Sequence, residues 1–237
     1  MRIIACESYQ DMSQKAADLV EEELLKMPEL LLCAATGNSP EGLYKAMSTR
    51  ARIKPEQYDR MRVLKLDEWG GIPERHPASC EYFLRKKLLG PLSLPEKNYL
   101  SFSSDPEDPE NQCEEIRNKL AKEGPIRICI LGLGRNGHLG LNEPGEALEP
   151  FCHMASLSPS SLEHTMLASM EVKPSYGITL GMQEILSSDR IILLVTGKNK
   201  KEIYAKLLEG KISTKLPASF LWTHARVDCL VDSQALG

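Results

Sequence analysis

Short, almost continuous apolar runs alternate along this chain with longer stretches whose apolar residues recur every three or four positions. The runs at residues 2–5, 30–35, 62–66, 127–131, 176–179, 190–195 and 227–231 predict strands. Several lack polar alternation, as expected of a sheet covered on both faces. The stretches 10–27, 41–51, 79–89, 110–122, 161–169 and 198–208 predict helices. In the first, Met12, Ala16, Leu19, Val20 and Leu24 share one face. Strand–helix alternation with short connections predicts an α/β fold: a three-layer, doubly wound, mostly parallel sheet of Rossmann-like type. The Pro- and acid-rich segment 103–111 reads as a surface loop, because nine residues separate flanks that are not self-sufficient. A single domain over residues 1–237 is therefore expected.

Doubly wound sheets bind ligands beyond the carboxyl ends of their strands, so chemistry is sought just after each apolar run. Four segments there carry it. In Ala35-Thr36-Gly37-Asn38-Ser39-Pro40, Gly37 permits a sharp turn, Asn38 or Ser39 can cap the helix, and Pro40 suits its first turn. Exposed N–H groups with the Thr36 and Ser39 hydroxyls suit a phosphate, although a plain strand–turn–helix connection uses the same residues. The spacing is neither Walker A nor G-x-G-x-x-G, so a nucleotide is not indicated.

The second segment, Leu66-Asp67-Glu68-Trp69-Gly70-Gly71, puts two carboxylates at a strand end. A carboxylate held partly dry has a raised pKa and suits a general base for a carbon acid. The alternative has Asp67 capping the loop and Glu68 in solvent. The third segment runs from Gly132 to Gly145 and holds five glycines, which suggests backbone passing close to a ligand. Within it, His138 has Glu143 five residues later and Asn136 two earlier, a pattern for a tunable acid/base. In the fourth, Thr196-Gly197-Lys198-Asn199-Lys200-Lys201, lysines open a helix against its dipole, which favours an anion nearby.

Composition excludes some partners. A net charge of −4 gives no field for nucleic acid or an anionic membrane surface. No apolar run approaches the ~18 residues of a membrane span, and the amino-terminal residues lack the pattern of a signal peptide. Seven cysteines, odd in number and without a C-x-x-C pair, read as reduced structural thiols, so a cytoplasmic protein is expected. Nothing in the pattern calls for a metal or a cofactor. The oligomeric state stays open, a homo-oligomer included.

Asp67-Glu68-Trp69 followed by Gly-x-Gly-x-x-Gly-His-x-x-x-Asn-Glu-Pro at 132–144 resembles the glucosamine-6-phosphate deaminase family. The longer strings at 132–146 and 212–222 look closer to its galactosamine-6-phosphate deaminase/isomerase branch. The resemblance covers nearly the whole chain. It implies a small sugar-phosphate substrate, ring opening by His138, support of that imidazole by Glu143, and proton transfer from C2 to C1 by Asp67. The resemblance further implies that ammonium leaves C2 as an enediolate collapses to a ketose 6-phosphate. Thr36, Gly37, Asn38, Ser39 and Lys200 are implied to hold the phosphate, and the implied activity is classed as both hydrolase and isomerase.

Two departures from the family stand out. Asn136 replaces the usual Asp, and an amide cannot stabilise an imidazolium by charge. The segment 156–170, where relatives supply a phosphate-binding arginine, contains none, and His164 is the nearest cationic candidate. Basic residues around 152–155 that serve an allosteric effector in some relatives are also absent, so simple kinetics are expected. Two rival classes share the implied fold. One is 6-phosphogluconolactonase; the other is the sugar-phosphate sensor domain of repressors, which carries a helix-turn-helix that residues before the first strand do not supply.

Overall fold

The computed structural model describes residues 1–236. Seven strands form one parallel sheet: β1 (Arg2–Cys6), β2 (Leu31–Ala34), β3 (Arg62–Lys65), β5 (Tyr99–Leu100), β6 (Ile128–Gly132), β9 (Arg190–Val195) and β10 (Val227–Asp232). Their order is β1-β10-β9-β6-β2-β3-β5, with every neighbour parallel. The chain winds outward from β2 on one side and from β6 on the other. Between these two adjacent strands lies the reversal of strand order, where such sheets bind ligands.

Strand side chains alternate between faces, and the core divides accordingly. Leu32, Ala34, Ile128, Ile130, Ile192 and Leu194 pack under α1 (Tyr9–Lys26), α2 (Asn38–Ala51) and α3 (Cys80–Leu84). Cys33, Cys129, Leu131, Ile191, Leu193 and Val195 face α4 (Pro109–Glu123), α6 (Met182–Leu186) and α7 (Lys201–Leu208). These are the three layers expected. At the amino ends of the strands, Glu23 of α1 is fully buried among Arg127 (2.6 Å), Arg190 (3.3 Å) and Arg226 (2.6 Å). Burial raises its pKa, but Arg226 and Arg127 outweigh that and hold it at about 2.

The expectation of one sheet needs correction. The chain leaves β3 after Lys65 and starts β4 (Asp67–Trp69), which pairs antiparallel with β8 (Tyr176–Thr179), itself antiparallel to β7 (His153–Ser156). The apolar run 176–179 is thus a strand, but of a second, small sheet. The predicted helix 161–169 is also broken up. Ser158 caps α5 (Pro159–Leu162) early, and His164 is extended (φ −61°, ψ 140°) before a short 3₁₀ turn at Thr165–Leu167. Segment 103–111 ends as Asp108 accepts the Asn111 N–H and caps α4. The last helix is α8 (Ser233–Leu236). Among the described residues no helix is long and apolar enough to cross a membrane. All seven cysteines are free and buried.

Candidate active site

A cavity of about 220 Å³ opens over the carboxyl ends of β2, β3, β6 and β9. Asp67 and His138 both line it, and so do Thr36, Asn38, Ser39 and Lys200. Glu143 and Asn136 stand behind His138.

One wall is built where β3 hands over to β4. Glu68 is fully buried, which corrects the reading that left it in solvent. Its carboxylate accepts backbone N–H groups from Trp69 (2.9 Å), Cys80 (2.8 Å) and Glu81 (2.9 Å), and the Lys65 ammonium at 3.0 Å. Lys65 is equally buried and reaches Glu81 at 3.0 Å. Asp67, one residue earlier, has far less: the Cys80 thiol lies 3.8 Å from its Oδ1. Burial, then the charge of Glu68, pushes Asp67 up to about 7, against the opposing pull of Lys65 and Cys80. The side chain that faces the cavity is the poorly satisfied one.

The opposite wall carries the imidazole. His138 Nδ1 lies 3.4 Å from Glu143 Oε2 and 3.3 Å from Ser161 Oγ, leaving Nε2 as the other ring nitrogen. Glu143 accepts from Asn136 Nδ2 (2.8 Å), Ser158 Oγ (3.0 Å) and the Ser161 hydroxyl. Burial works to raise its pKa, but His138, Ser161 and Asn136 prevail and hold it at about 2. Asn136 makes no hydrogen bond to the ring. Its amide holds Glu143, and its oxygen accepts the His138 backbone N–H at 3.2 Å. Gly134 has a local explanation besides any ligand: a Cβ there would fall 2.4 Å from the His138 ring.

The phosphate corner starts at the end of β2. Neither Asn38 nor Ser39 caps α2; the cap is Gly37, at φ 93°, with no side-chain hydrogen bond. The left-handed geometry suits glycine and leaves the first N–H groups of α2 without a capping side chain. Thr36 lines the cavity, but its hydroxyl donates to Cys80 Sγ at 3.3 Å. Lys200 has no carboxylate partner among the described residues, and burial, then the charge of Arg135, lowers it to about 8. His164 leans over Gly37: a Cβ at 37 would lie 3.0 Å from its Nε2. Burial, then the charges of His138 and Lys200, lowers His164 to about 4, so it is a neutral imidazole near neutral pH. It therefore does not bring the positive charge expected of it near neutral pH. Nδ1 accepts the Met166 N–H at 3.3 Å, leaving the ring proton on Nε2.

Ser158, Ser161 and Cys80 carried no signal beyond a helix start and a buried thiol, and only the tertiary contacts mark them. Among the described residues, no group of three or more His, Cys, Asp or Glu is arranged to hold a metal ion.

Residues 6–230 match the family model of glucosamine-6-phosphate isomerases/6-phosphogluconolactonase. The chain belongs to that family. It is 38% identical to AgaI of Escherichia coli K12, described as a candidate deaminase, over 96% of this chain and 90% of that one. It is 32% identical to the glucosamine-6-phosphate deaminase of Thermoanaerobacter pseudethanolicus, over 99% and 94%. A solved monomeric glucosamine-6-phosphate deaminase of the NagB superfamily superposes with a TM-score of 0.95 at 31% identity, covering 99% and 98%. The 6-phosphogluconolactonase of Trypanosoma brucei (TM-score 0.81, 20% identity, 99% and 97%) shares the fold. The hydrolase class expected from the sequence is overturned. The relatives at 31–38% identity are deaminases by name, whereas 6-phosphogluconolactonase enters through the joint description of the family and as a fold neighbour at 20% identity.

Proposed function

We propose that this family member is a hexosamine-6-phosphate deaminase/isomerase acting on galactosamine 6-phosphate, with tagatose 6-phosphate and ammonia as products. One observation carries the reading: a carboxylate near pKa 7 and an imidazole backed by a carboxylate line the same cavity, beside a helix start with no capping side chain. His138 Nε2 takes the proton of the anomeric hydroxyl and returns it to the ring oxygen, opening the sugar to an aldehyde. Nδ1–H stays on Glu143 and Ser161, which stabilise the transient positive charge. Asp67 removes the C2 proton and delivers it to C1, while a proton of the C2 amine passes to the C1 oxygen, turning the aldehyde into a primary alcohol and the amine into an imine. Water then adds at C2 and ammonia leaves. A base with pKa near the working pH favours this exchange.

The phosphate sits on the N–H groups of Asn38 and Ser39, with Lys200 and the His164 Nε2–H donating from either side. The chain acts as one catalytic domain, and its seven buried thiols suit a reducing, cytoplasmic setting. The galacto reading rests on the strings at 132–146 and 212–222. The gluco reading, which yields fructose 6-phosphate, is favoured by the names of the relatives at 31–32% identity. An ammonia-release assay on both epimers decides between them. Faster turnover of galactosamine 6-phosphate is expected, and release from the gluco epimer alone removes the preference. Release from neither epimer removes the reading altogether.

A further inference from the structure

The cavity does hold an arginine, carried outside segment 156–170. Arg135, inside the glycine-rich segment, lines the cavity near its mouth. Its Nη1 pairs with Glu163 Oε2 at 2.9 Å, and Glu163 lines the same mouth from the end of α5. Both side chains are about half exposed (50% and 64%), so the pair is weakly held and easily exchanged. Arg135 also acts on Lys200 across the cavity, the one lysine there without a carboxylate partner among the described residues. His164 lines the same cavity over Gly37 and brings no charge near neutral pH.

We infer that Arg135 is the phosphate-binding arginine of this protein, and that it exchanges Glu163 for the substrate phosphate on binding. A phosphate dianion is the stronger partner, because a guanidinium matches it with two parallel N–H donors. Unbound, Glu163 keeps Arg135 turned to the mouth and limits its repulsion of Lys200. Bound, the phosphate is held from three directions: the start of α2, Lys200 and Arg135. Glu163 is then left unpaired on the segment whose Ser158 and Ser161 hold Glu143. The inference rests on the proposed sugar-phosphate substrate.

The test compares Arg135→Gln, Arg135→Lys and Glu163→Gln by steady-state kinetics on the hexosamine 6-phosphate that the wild type deaminates. Calorimetric titration with inorganic phosphate is run alongside. Arg135→Gln is expected to raise KM and weaken phosphate binding by about tenfold or more, with kcat within a few-fold of wild type. Arg135→Lys recovers part of both. Glu163→Gln moves the other way, lowering KM about two- to threefold, because the internal competitor is gone. If Arg135→Gln leaves KM and phosphate affinity within twofold of wild type, the inference fails. If the wild type releases no ammonia but Arg135→Gln still loses phosphate affinity, the functional reading fails and the assignment of Arg135 stands.

Discussion

The two walls of the cavity each present a carboxylic acid, and they treat it in opposite ways. Glu143 accepts four hydrogen bonds from Asn136, Ser158 (N–H and hydroxyl) and Ser161 and faces an imidazole, which holds it at about 2. Asp67 has one distant thiol and the charge of Glu68 beside it, and sits at about 7. Both are removed from water, so burial alone does not separate them; the number of donors does. The backbone donors that could have satisfied Asp67 go to Glu68, which collects three N–H groups and Lys65. Glu23, clasped by arginines at the far end of the sheet, behaves like Glu143. A carboxylate left short of partners at the ligand end of the sheet can still exchange a proton near neutrality.

The sharpest way to break the contrast is to remove the starved acid. Asp67→Asn keeps the shape and abolishes the base. Ammonia release is expected to fall by roughly 10³-fold, within the range general-base catalysis supplies. Exchange of the C2 hydrogen with deuterated water should stop with it. Ring opening, followed by trapping of the free aldehyde, should continue, because His138, Glu143 and Ser161 are untouched. Undiminished C2 exchange in Asp67→Asn would reassign the base.

Much of this contrast was invisible in the sequence, for reasons that differ by residue. The buried strands β2, β6, β9 and β10 were legible because both faces are covered, so their runs are apolar almost throughout. β7, His153–Ser156, is half-exposed and carries no such run, and β4 is the polar string Asp67-Glu68-Trp69. Together they hid the second sheet. The glycine-rich segment does line the cavity, although part of its glycine content makes room for the His138 ring. Which of Asp67 and Glu68 faces the cavity depends on where α3 points its first N–H groups, a tertiary fact. The neutrality of His164 depends on burial, which residue type alone does not encode.

The same contrast has a thermodynamic face with opposite signs on the two walls. Asp67 has a folded pKa of about 7, raised from 3.8, so its contribution to stability is full below about pH 4. It is lost as pH rises through about 7, where the folded protein must hold a poorly solvated anion. Glu143 is depressed to about 2 from 4.5, so its contribution is present above about pH 4.5 and lost as pH falls through about 2. Urea denaturation at pH 8 should therefore find Asp67→Asn more stable than wild type and Glu143→Gln less stable. Each difference is on the order of 1–3 kcal/mol. At pH 4 the gain from Asp67→Asn should vanish. Two losses of the same sign at pH 8 would mean that partner number does not separate the walls.

The smallest effect expected comes from adding charge to the well-satisfied wall. Asn136 donates to Glu143 Oε2 at 2.8 Å and to Ser158 Oγ at 3.2 Å, and it accepts the His138 N–H without a hydrogen bond to the ring. Asn136→Asp replaces the donor on Glu143 with a second carboxylate at the same distance. Like charges that close disfavour each other, so Glu143 should rise from its present value while the added charge favours the protonated imidazole. The acid limb of the pH profile of kcat/KM is then expected to move up by about half a unit, with little change in KM. The shift should be small because Asn136 acts through Glu143 and the His138 backbone, one step removed from the ring. A profile that superimposes on wild type would mean that Asn136 positions Glu143 only as a neutral strut, and that its difference from the family's aspartate has no electrostatic consequence.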